Sequence, residues 1–151
     1  MSKIKNEAKI KFPLIVAVRE QLEHRALWMY LLCDEAKKKG ASVGCYAVTT
    51  TGEETTGNGA YFSASRVKPN IAIAVDVTHT SDNCGISAAD TGDISVGKGP
   101  VICNNPSIHK KVNQHLRVCA QALNMAVQTE AASGRTGTDG DIMHKTGIGV
   151  P

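Results

Sequence analysis

Two short apolar runs constrain the fold of this 151-residue chain more than any other feature of its sequence. The runs are SVGCYAVTT at residues 42–50 and NIAIAVDVT at residues 70–78, and both are rich in the residues that favour strands. Neither run alternates strictly between apolar and polar residues, so each predicts a strand that is buried on both faces. Such a sheet needs helices on both sides, which indicates an α/β fold.

Helical patterns lie between and around the predicted strands. Residues 18–39 contain no glycine or proline and end in a lysine-rich turn, which predicts a largely buried helix. NGAYFSASRV at residues 58–67 predicts a short helix, and PVICNN at residues 100–105 predicts a third strand. Ser107 is the expected N-cap of a further helix with apolar residues at helical spacing. Helices and strands alternate, so we expect one domain with a mixed, partly parallel sheet.

The charge and cysteine content exclude several classes of function. The net charge of +3 is spread over both signs, so the chain lacks the basic face of a nucleic-acid-binding protein. No apolar run is long enough for a membrane span or a signal peptide, so we expect a cytoplasmic protein without a membrane partner. The five cysteines are widely spaced and lack a C-x-x-C pair, so we interpret them as small buried residues that stay reduced.

Carboxylates follow both apolar strands at the point where each ends. Glu53 and Glu54 stand in the loop TGEETTGNGA, and Asp76 closes the run NIAIAVD. Ligand sites in α/β sheets lie beyond the carboxyl ends of strands, where these groups converge if the strands are parallel neighbours. Neighbouring side chains on an extended backbone diverge, so one glutamate can bind a metal while the other takes a proton from water. The pattern favours a metal-assisted hydrolase over a solvated loop or a glycosidase, whose carboxylates face each other across a sugar.

Several motifs in a fixed order resemble a known peptidase family. They are LEHR, TGEETTGNGA, PNIAIAVDVTHTSD, VGKGPVI and GRTGTDGDIMHKTGIGVP, and the similarity covers residues 22–151. These segments look like those of the glutamyl and tetrahedral aminopeptidases, which are dinuclear zinc or cobalt exopeptidases. The resemblance implies a three-layer sandwich of the zinc-exopeptidase type, a peptide substrate and a homo-oligomer.

The resemblance also implies roles for individual residues. Glu53 would be the general base, and Glu54 and Asp76 would be ligands of two different metal ions. Glu23 would replace the aspartate that bridges the two metals in the family. For His79, three residues after Asp76, the residues alone and not the resemblance allow three roles: a metal ligand, a hydrogen-bond donor to a ligand, or an ordinary loop histidine. The last two together are favoured over the first. The family's GTD stretch lines the substrate site, and it corresponds here to Gly137, Thr138 and Asp139.

The chain departs from the family pattern in its metal ligands. The family's L-D-D/N-R motif reads LEHR here, and the longer side chain of Glu23 displaces its carboxylate by about an ångström. The role of His24 stays open. An upstream His-x-Asp motif and a histidine after the GVP segment, which supply ligands in the family, are missing from the sequence. We therefore expect weak binding of two zinc or cobalt ions through carboxylates alone, and poor peptide hydrolysis by the isolated chain.

Three interpretations of residues 1–151 follow from these departures. The chain is part of a catalytic domain, without the family's upstream strands and dimerisation domain, or it is a degenerate relative that acts as a binding or assembly subunit. In the third interpretation another chain completes the site, for which the sequence offers no evidence. In all three cases we expect exposed apolar surface and self-association.

Overall fold

The computed structural model describes residues 13–19, 23–82, 85, 87–131 and 133–146, with side chains from residue 31 onward. Strands and helices alternate along this part of the chain, as the sequence predicts. The strands are β1 (Pro13–Arg19), β2 (Gly44–Thr50), β3 (Ile71–Val75), β4 (Val101–Asn104) and β5 (Gln128–Ala131). The helices are α1 (Glu23–Lys38), α2 (Asn58–Val67), α3 (Ala88–Thr91), α4 (Lys110–Ala122) and α5 (Gly140–Met143).

The first three strands form a parallel sheet in the order β2-β1-β3. Arg19 at the end of β1 pairs with Thr50 at the end of β2, and Val18 pairs with Val75 at the end of β3. The carboxyl ends of all three strands therefore meet at one edge, which we call the carboxyl edge. The α/β class is confirmed. Every pairing among the described residues is parallel, so the antiparallel part of the expected mixed sheet does not occur in them.

Helices cover both faces of this sheet. Val48 of β2 packs with the buried cluster of α2, which contains Ala60 and Ala64. Cys45 of the same strand contacts Cys33 of α1. Residues three apart in a strand point to opposite faces, so α1 and α2 lie on opposite sides of the sheet. This arrangement gives the three layers that the family resemblance implies.

A second, two-stranded sheet pairs β4 with β5 in parallel. The side chain of Gln128 links β5 to the loop that precedes β4. Its Oε1 accepts from the Ser95 amide at 2.8 Å, and its Nε2 donates to the Gly99 carbonyl at 2.9 Å. Gly99 has a φ of 100°, and a Cβ there would overlap the carbonyl oxygen of Ala126. A larger residue at position 99 would therefore force the loop away from β5.

Three sequence predictions are corrected by the fold. The predicted helix over residues 18–39 is wrong at its start, because β1 runs to Arg19 and α1 begins at Glu23. Ser107 does not cap α4: its amide donates to the Asn105 side chain in a turn, and the helix begins after His109. The prediction of buried cysteines is wrong for the four that are described, since Cys33, Cys45 and Cys103 are half-buried and Cys119 is exposed. Among the described helices, none has the length and apolar composition to cross a membrane.

Candidate active site

The loop after β2 places the two adjacent glutamates at the carboxyl edge. It is a tight turn in which the carbonyl of Gly52 accepts from the amides of Thr56 and Gly57 at 2.9 and 2.7 Å. Gly52 has a φ of 68°, which favours glycine at this position. Glu53 is half-buried and Glu54 is exposed. The two carboxylates therefore differ in exposure. Both residues lie in a turn and not on the extended backbone that the sequence predicts.

Asp76 follows β3 at the same edge. Its side chain is half-buried, and its Oδ1 accepts from the backbone amide of Val77 at 2.7 Å. Because β1 lies between β2 and β3, the ends of the two strands that carry Glu53 and Asp76 are two strand spacings apart, about 10 Å. Both strands run parallel to β1 and their ends lie at one edge, but β2 and β3 are not the parallel neighbours on which the predicted convergence depends.

Asp139 lies immediately before α5 and is only 3% exposed. Its Oδ2 accepts a hydrogen bond from the hydroxyl of Thr50, with an O–O distance of 2.5 Å, and its Oδ1 has no hydrogen-bond partner among the described residues. Burial raises the pKa of Asp139, the Thr50 hydrogen bond lowers it, and the nearby charge of Asp76 raises it further, with a net rise. Thr50 and Asp76 therefore both influence the charge of Asp139.

Asp141 is a second buried aspartate, 2% exposed, with opposite electrostatics. Its carboxylate accepts from the backbone amides of Thr136 and Gly137 at 3.1 and 2.9 Å and lies 3.6 Å from the guanidinium of Arg135. Burial alone would raise the pKa of Asp141, but these amides, the Thr136 hydroxyl and Arg135 lower it overall. Asp141 therefore holds the loop that contains the GTD stretch.

The GTD stretch is shaped by its own hydrogen bonds. The hydroxyl of Thr138 is 2.9 Å from that of Thr136 and accepts from the amide of Gly140 at 3.2 Å. Gly137 has a φ of 70°, while a Cβ built on it would meet no atom within 4 Å. Glycine at this position is therefore required by the backbone conformation, not by crowding.

Close packing holds α5 against the sheet. A Cβ built on Gly140 would lie 3.7 Å from Cβ of Ala74 in β3, and one built on Gly57 would lie 2.5 Å from Ile142 of α5. Met143 of α5 is buried in the cluster of α2. These contacts explain how a segment more than sixty residues after β3 reaches the carboxyl edge.

The structure brings most of the predicted site residues to one region. Glu53, Glu54 and Asp76 are at the carboxyl edge, and Asp139 reaches it through Thr50. Glu23 is the first residue of α1, but its side chain lies outside the described residues, as does that of His24. His79 is exposed, and within the described part of the chain no hydrogen bond joins it to a candidate ligand.

Sequence reasoning missed Thr50, whose hydroxyl contacts Asp139 although 89 positions separate the two residues. A threonine that is fully buried at the last position of an apolar strand is a signal of such a contact, because its hydroxyl needs a partner. This signal does not identify Asp139 as the hydrogen-bond partner of Thr50.

A pair of metal ions needs several protein ligands for each ion. Zinc sites normally take three protein ligands plus water, often with imidazole. Among the side chains described, no three His, Cys, Asp or Glu residues form a group that could hold a metal ion. Glu54 and Asp76 by themselves therefore do not fit a complete two-metal centre.

Curated aminopeptidases are similar to this chain over most of its length. The chain is 30% identical over 125 residues to a lysyl aminopeptidase of Pyrococcus furiosus, covering 81% of this chain and 35% of that protein. It is 35% identical over 109 residues to a putative aminopeptidase of Acetivibrio thermocellus, covering 70% of this chain and 32% of that protein. The chain thus spans about a third of the length of these curated relatives.

The fold has a counterpart among solved structures. The crystal structure of a TET aminopeptidase from a marine-sediment Thaumarchaeota archaeon superimposes with a TM-score of 0.71 at 24% identity. The superposition covers 83% of this chain and 36% of that one, so it supports the fold. The sequence model of the M42 glutamyl aminopeptidase family matches residues 25–151, so the chain belongs to that family.

Proposed function

We propose that the chain carries the proton-transfer and substrate-binding part of an aminopeptidase catalytic domain, which removes N-terminal residues from peptides. The observation that carries this proposal is the state of Asp139. A buried carboxylate with one oxygen lacking a partner is costly in a folded protein, and such groups are retained at functional sites. Family membership supports the reaction class, and the carboxylates at the carboxyl edge support that edge as the proposed location of the reaction.

In this proposal Glu53 is the general base. Its carboxylate takes a proton from the attacking water, whose oxygen bonds to the carbonyl carbon of the first peptide bond. Glu53 then returns the proton to the leaving amine as the C–N bond breaks. The half-buried position of Glu53 suits a group that must meet both water and substrate.

The GTD stretch is proposed as the substrate-binding wall. The unpartnered Oδ1 of Asp139 can accept a hydrogen bond from an N–H or ammonium group of the peptide. The amide of Gly137 donates a hydrogen bond to Asp141, and the hydroxyl of Thr138 accepts one from the amide of Gly140, and these two bonds hold the stretch in place. A rigid wall of this kind reduces the conformational entropy that the protein itself loses when the substrate binds.

We propose Glu54, Asp76 and Glu23 as a partial set of ligands for two divalent ions, zinc or cobalt. This set follows from the family pattern, and the described side chains do not complete it. For that reason no step of the reaction above is assigned to a metal. Weak metal binding and slow hydrolysis by the 151-residue chain are the expected consequences.

Self-association is a further part of the proposal. Large apolar side chains are well exposed on several elements, among them Phe62 at 67%, Leu123 at 70% and Val96 at 81%. Exposed apolar surface of this kind favours contact with more protein, and we propose a homo-oligomer. A monomer at all concentrations in sedimentation velocity would contradict it. A cytoplasmic location stays a prediction.

The general-base role predicts a large effect of Glu53→Gln on hydrolysis. With cobalt or zinc present, the chain should release the N-terminal residue from leucyl and glutamyl anilides slowly. Loss of the base should reduce the rate by about a hundredfold or more. Glu35→Gln, which changes an exposed glutamate of α1 in the same way, is the matched control and should keep the full rate. An unchanged rate in Glu53→Gln would exclude the role.

A second candidate function is a non-catalytic binding or assembly subunit. The observation in its favour is the incomplete ligand set of the described residues. Absence of hydrolysis by the unmodified chain, at metal concentrations that saturate it, would support this function over the enzyme.

A further inference from the structure

Two cysteines meet where α1 packs on the sheet. Cys33 lies in the second half of α1, and Cys45 is the second residue of β2. Their sulfur atoms are 2.7 Å apart, and both side chains are half-buried. The other described cysteines, Cys103 and Cys119, have no such contact in the structure. The pair is independent of the candidate active site, which lies at the opposite end of β2.

We propose that Cys33 and Cys45 form a reversible disulfide that fastens α1 to β2 under oxidising conditions. A disulfide has a sulfur–sulfur distance of about 2.05 Å, so the two sulfurs need to approach by only about 0.7 Å. Helix α1 and strand β2 are sequence neighbours joined by a short turn, and they already pack together. The bond can therefore form without a rearrangement of the sheet.

A small oxidant can reach the pair. Both cysteines line a surface cavity of about 380 Å³, together with Asp34, Lys37 and Val43. Lys37 and Asp34 give the cavity one positively and one negatively charged lining residue, so the net charge of this pair does not exclude an anionic reagent. A small disulfide such as oxidised glutathione, which carries carboxylates, has the chemistry to enter.

The two thiols have different roles in the exchange. Burial, the hydrogen bond with Cys33 and the charge of Cys33 raise the pKa of Cys45 to about 12, so Cys45 keeps its proton. We therefore assign the first attack to Cys33. Its thiolate bonds to one sulfur of the oxidant and releases the other half as a thiolate. Cys45 then gives its proton to that leaving thiolate or to water, attacks Cys33 and displaces the second half. Two electrons pass to the oxidant, which leaves as two thiols.

The test is oxidation of the full chain in buffers of reduced and oxidised glutathione, followed by peptide mapping. We expect a cross-linked peptide pair that contains Cys33 and Cys45, formed under oxidising conditions and lost on reduction with a dithiol. Oxidation should also raise the thermal midpoint by several degrees, because the bond restricts the unfolded chain. Intact free thiols at Cys33 and Cys45 under oxidising conditions would overturn the proposal.

Variants separate the two thiols. Cys45→Ser should accumulate a glutathione adduct on Cys33, because the resolving thiol is absent. Cys33→Ser should form its adduct on Cys45 more slowly than Cys45→Ser does on Cys33, because burial, the largest cause of the raised pKa of Cys45, remains when Cys33 is replaced. Cys119→Ser, at an exposed cysteine outside the pair, is the control and should form the cross-link as the unmodified chain does. Equal adduct formation by Cys33→Ser and Cys45→Ser would overturn the assigned order of attack, and a cross-link through Cys103 or Cys119 would overturn the pair itself.

Discussion

Asp139→Asn is expected to increase the stability of the chain at neutral pH, by about 1–3 kcal/mol. The native carboxylate is buried, and one oxygen has no hydrogen-bond partner among the described residues. The asparagine carbonyl can still accept from Thr50, while the amide removes the buried charge that the charge of Asp76 disfavours. Chemical denaturation of both proteins at pH 7 measures the difference. A loss of stability would show that the charge of Asp139 is satisfied in the fold and is not held for a substrate.

The pH dependence of this gain has a definite sign. The pKa of Asp139 is raised in the folded state, so the cost of its charge is fully present above that pKa. The cost decreases as the pH falls through the folded pKa, and it disappears below the unfolded value. The stabilities of Asp139→Asn and the unmodified chain should therefore converge in acid. A gain that stays constant at all pH values would contradict the electrostatic explanation.

Asp141→Asn is expected to have the opposite effect, a loss of about 2–4 kcal/mol at neutral pH. Its carboxylate accepts from two backbone amides, and an asparagine would turn its own N–H groups toward one of them. The loop that carries Gly137 and Thr138 would lose its anchor. Because Asp139 and Asp141 are both buried aspartates at the start of α5, each variant is the matched control for the other. Effects of the same sign in the two variants would contradict the account.

The acid response of Asp141 follows from its lowered pKa. A carboxylate with a lowered folded pKa contributes stability that is present above its unfolded pKa. This contribution is lost as the pH falls through the folded value, below the ordinary pKa of 3.8. The unmodified chain should therefore lose this part of its stability in strong acid, whereas Asp141→Asn should not. Denaturation curves at pH 7 and pH 3 measure both contributions.

The sequence predicted the parts of the fold that have strong local patterns. The strands β2 and β3 and the helix α2 are marked by apolar residues and by clear turns at their ends. The prediction that both strands are buried on both faces is wrong, because each strand has exposed residues. β1 was not predicted. Its last two residues, Val18 and Arg19, belong to the stretch without glycine or proline that predicts one long helix. β5 was missed because QTEA has little apolar content, and its position depends on side-chain hydrogen bonds of Gln128 to a distant loop.

The candidate site was predictable only in part. Glu53, Glu54 and Asp76 were found because they follow strands, and the topology of a parallel sheet brings strand ends together. From the residues alone, Asp139 and Asp141 would only start a helix, and α5 does begin there, but neither carboxylate caps it. The partner of Asp139 is Thr50, 89 positions away, and this contact depends on tertiary packing that no local pattern encodes. The partners of Asp141 are backbone amides four and five positions away, whose positions depend on the conformation of the GTD loop.

Metal binding tests the central claim most directly, namely that the carboxylates at the carboxyl edge form the remnant of an aminopeptidase centre. The measurement is calorimetric titration of zinc and cobalt into the purified chain and into the double variant Glu54→Ala, Asp76→Ala. The control is Glu35→Ala, Asp90→Ala, which removes two exposed carboxylates elsewhere. The account predicts weak binding that is preserved in the control and abolished in the first double variant. No binding to the unmodified chain, or equal binding to all three proteins, would contradict it.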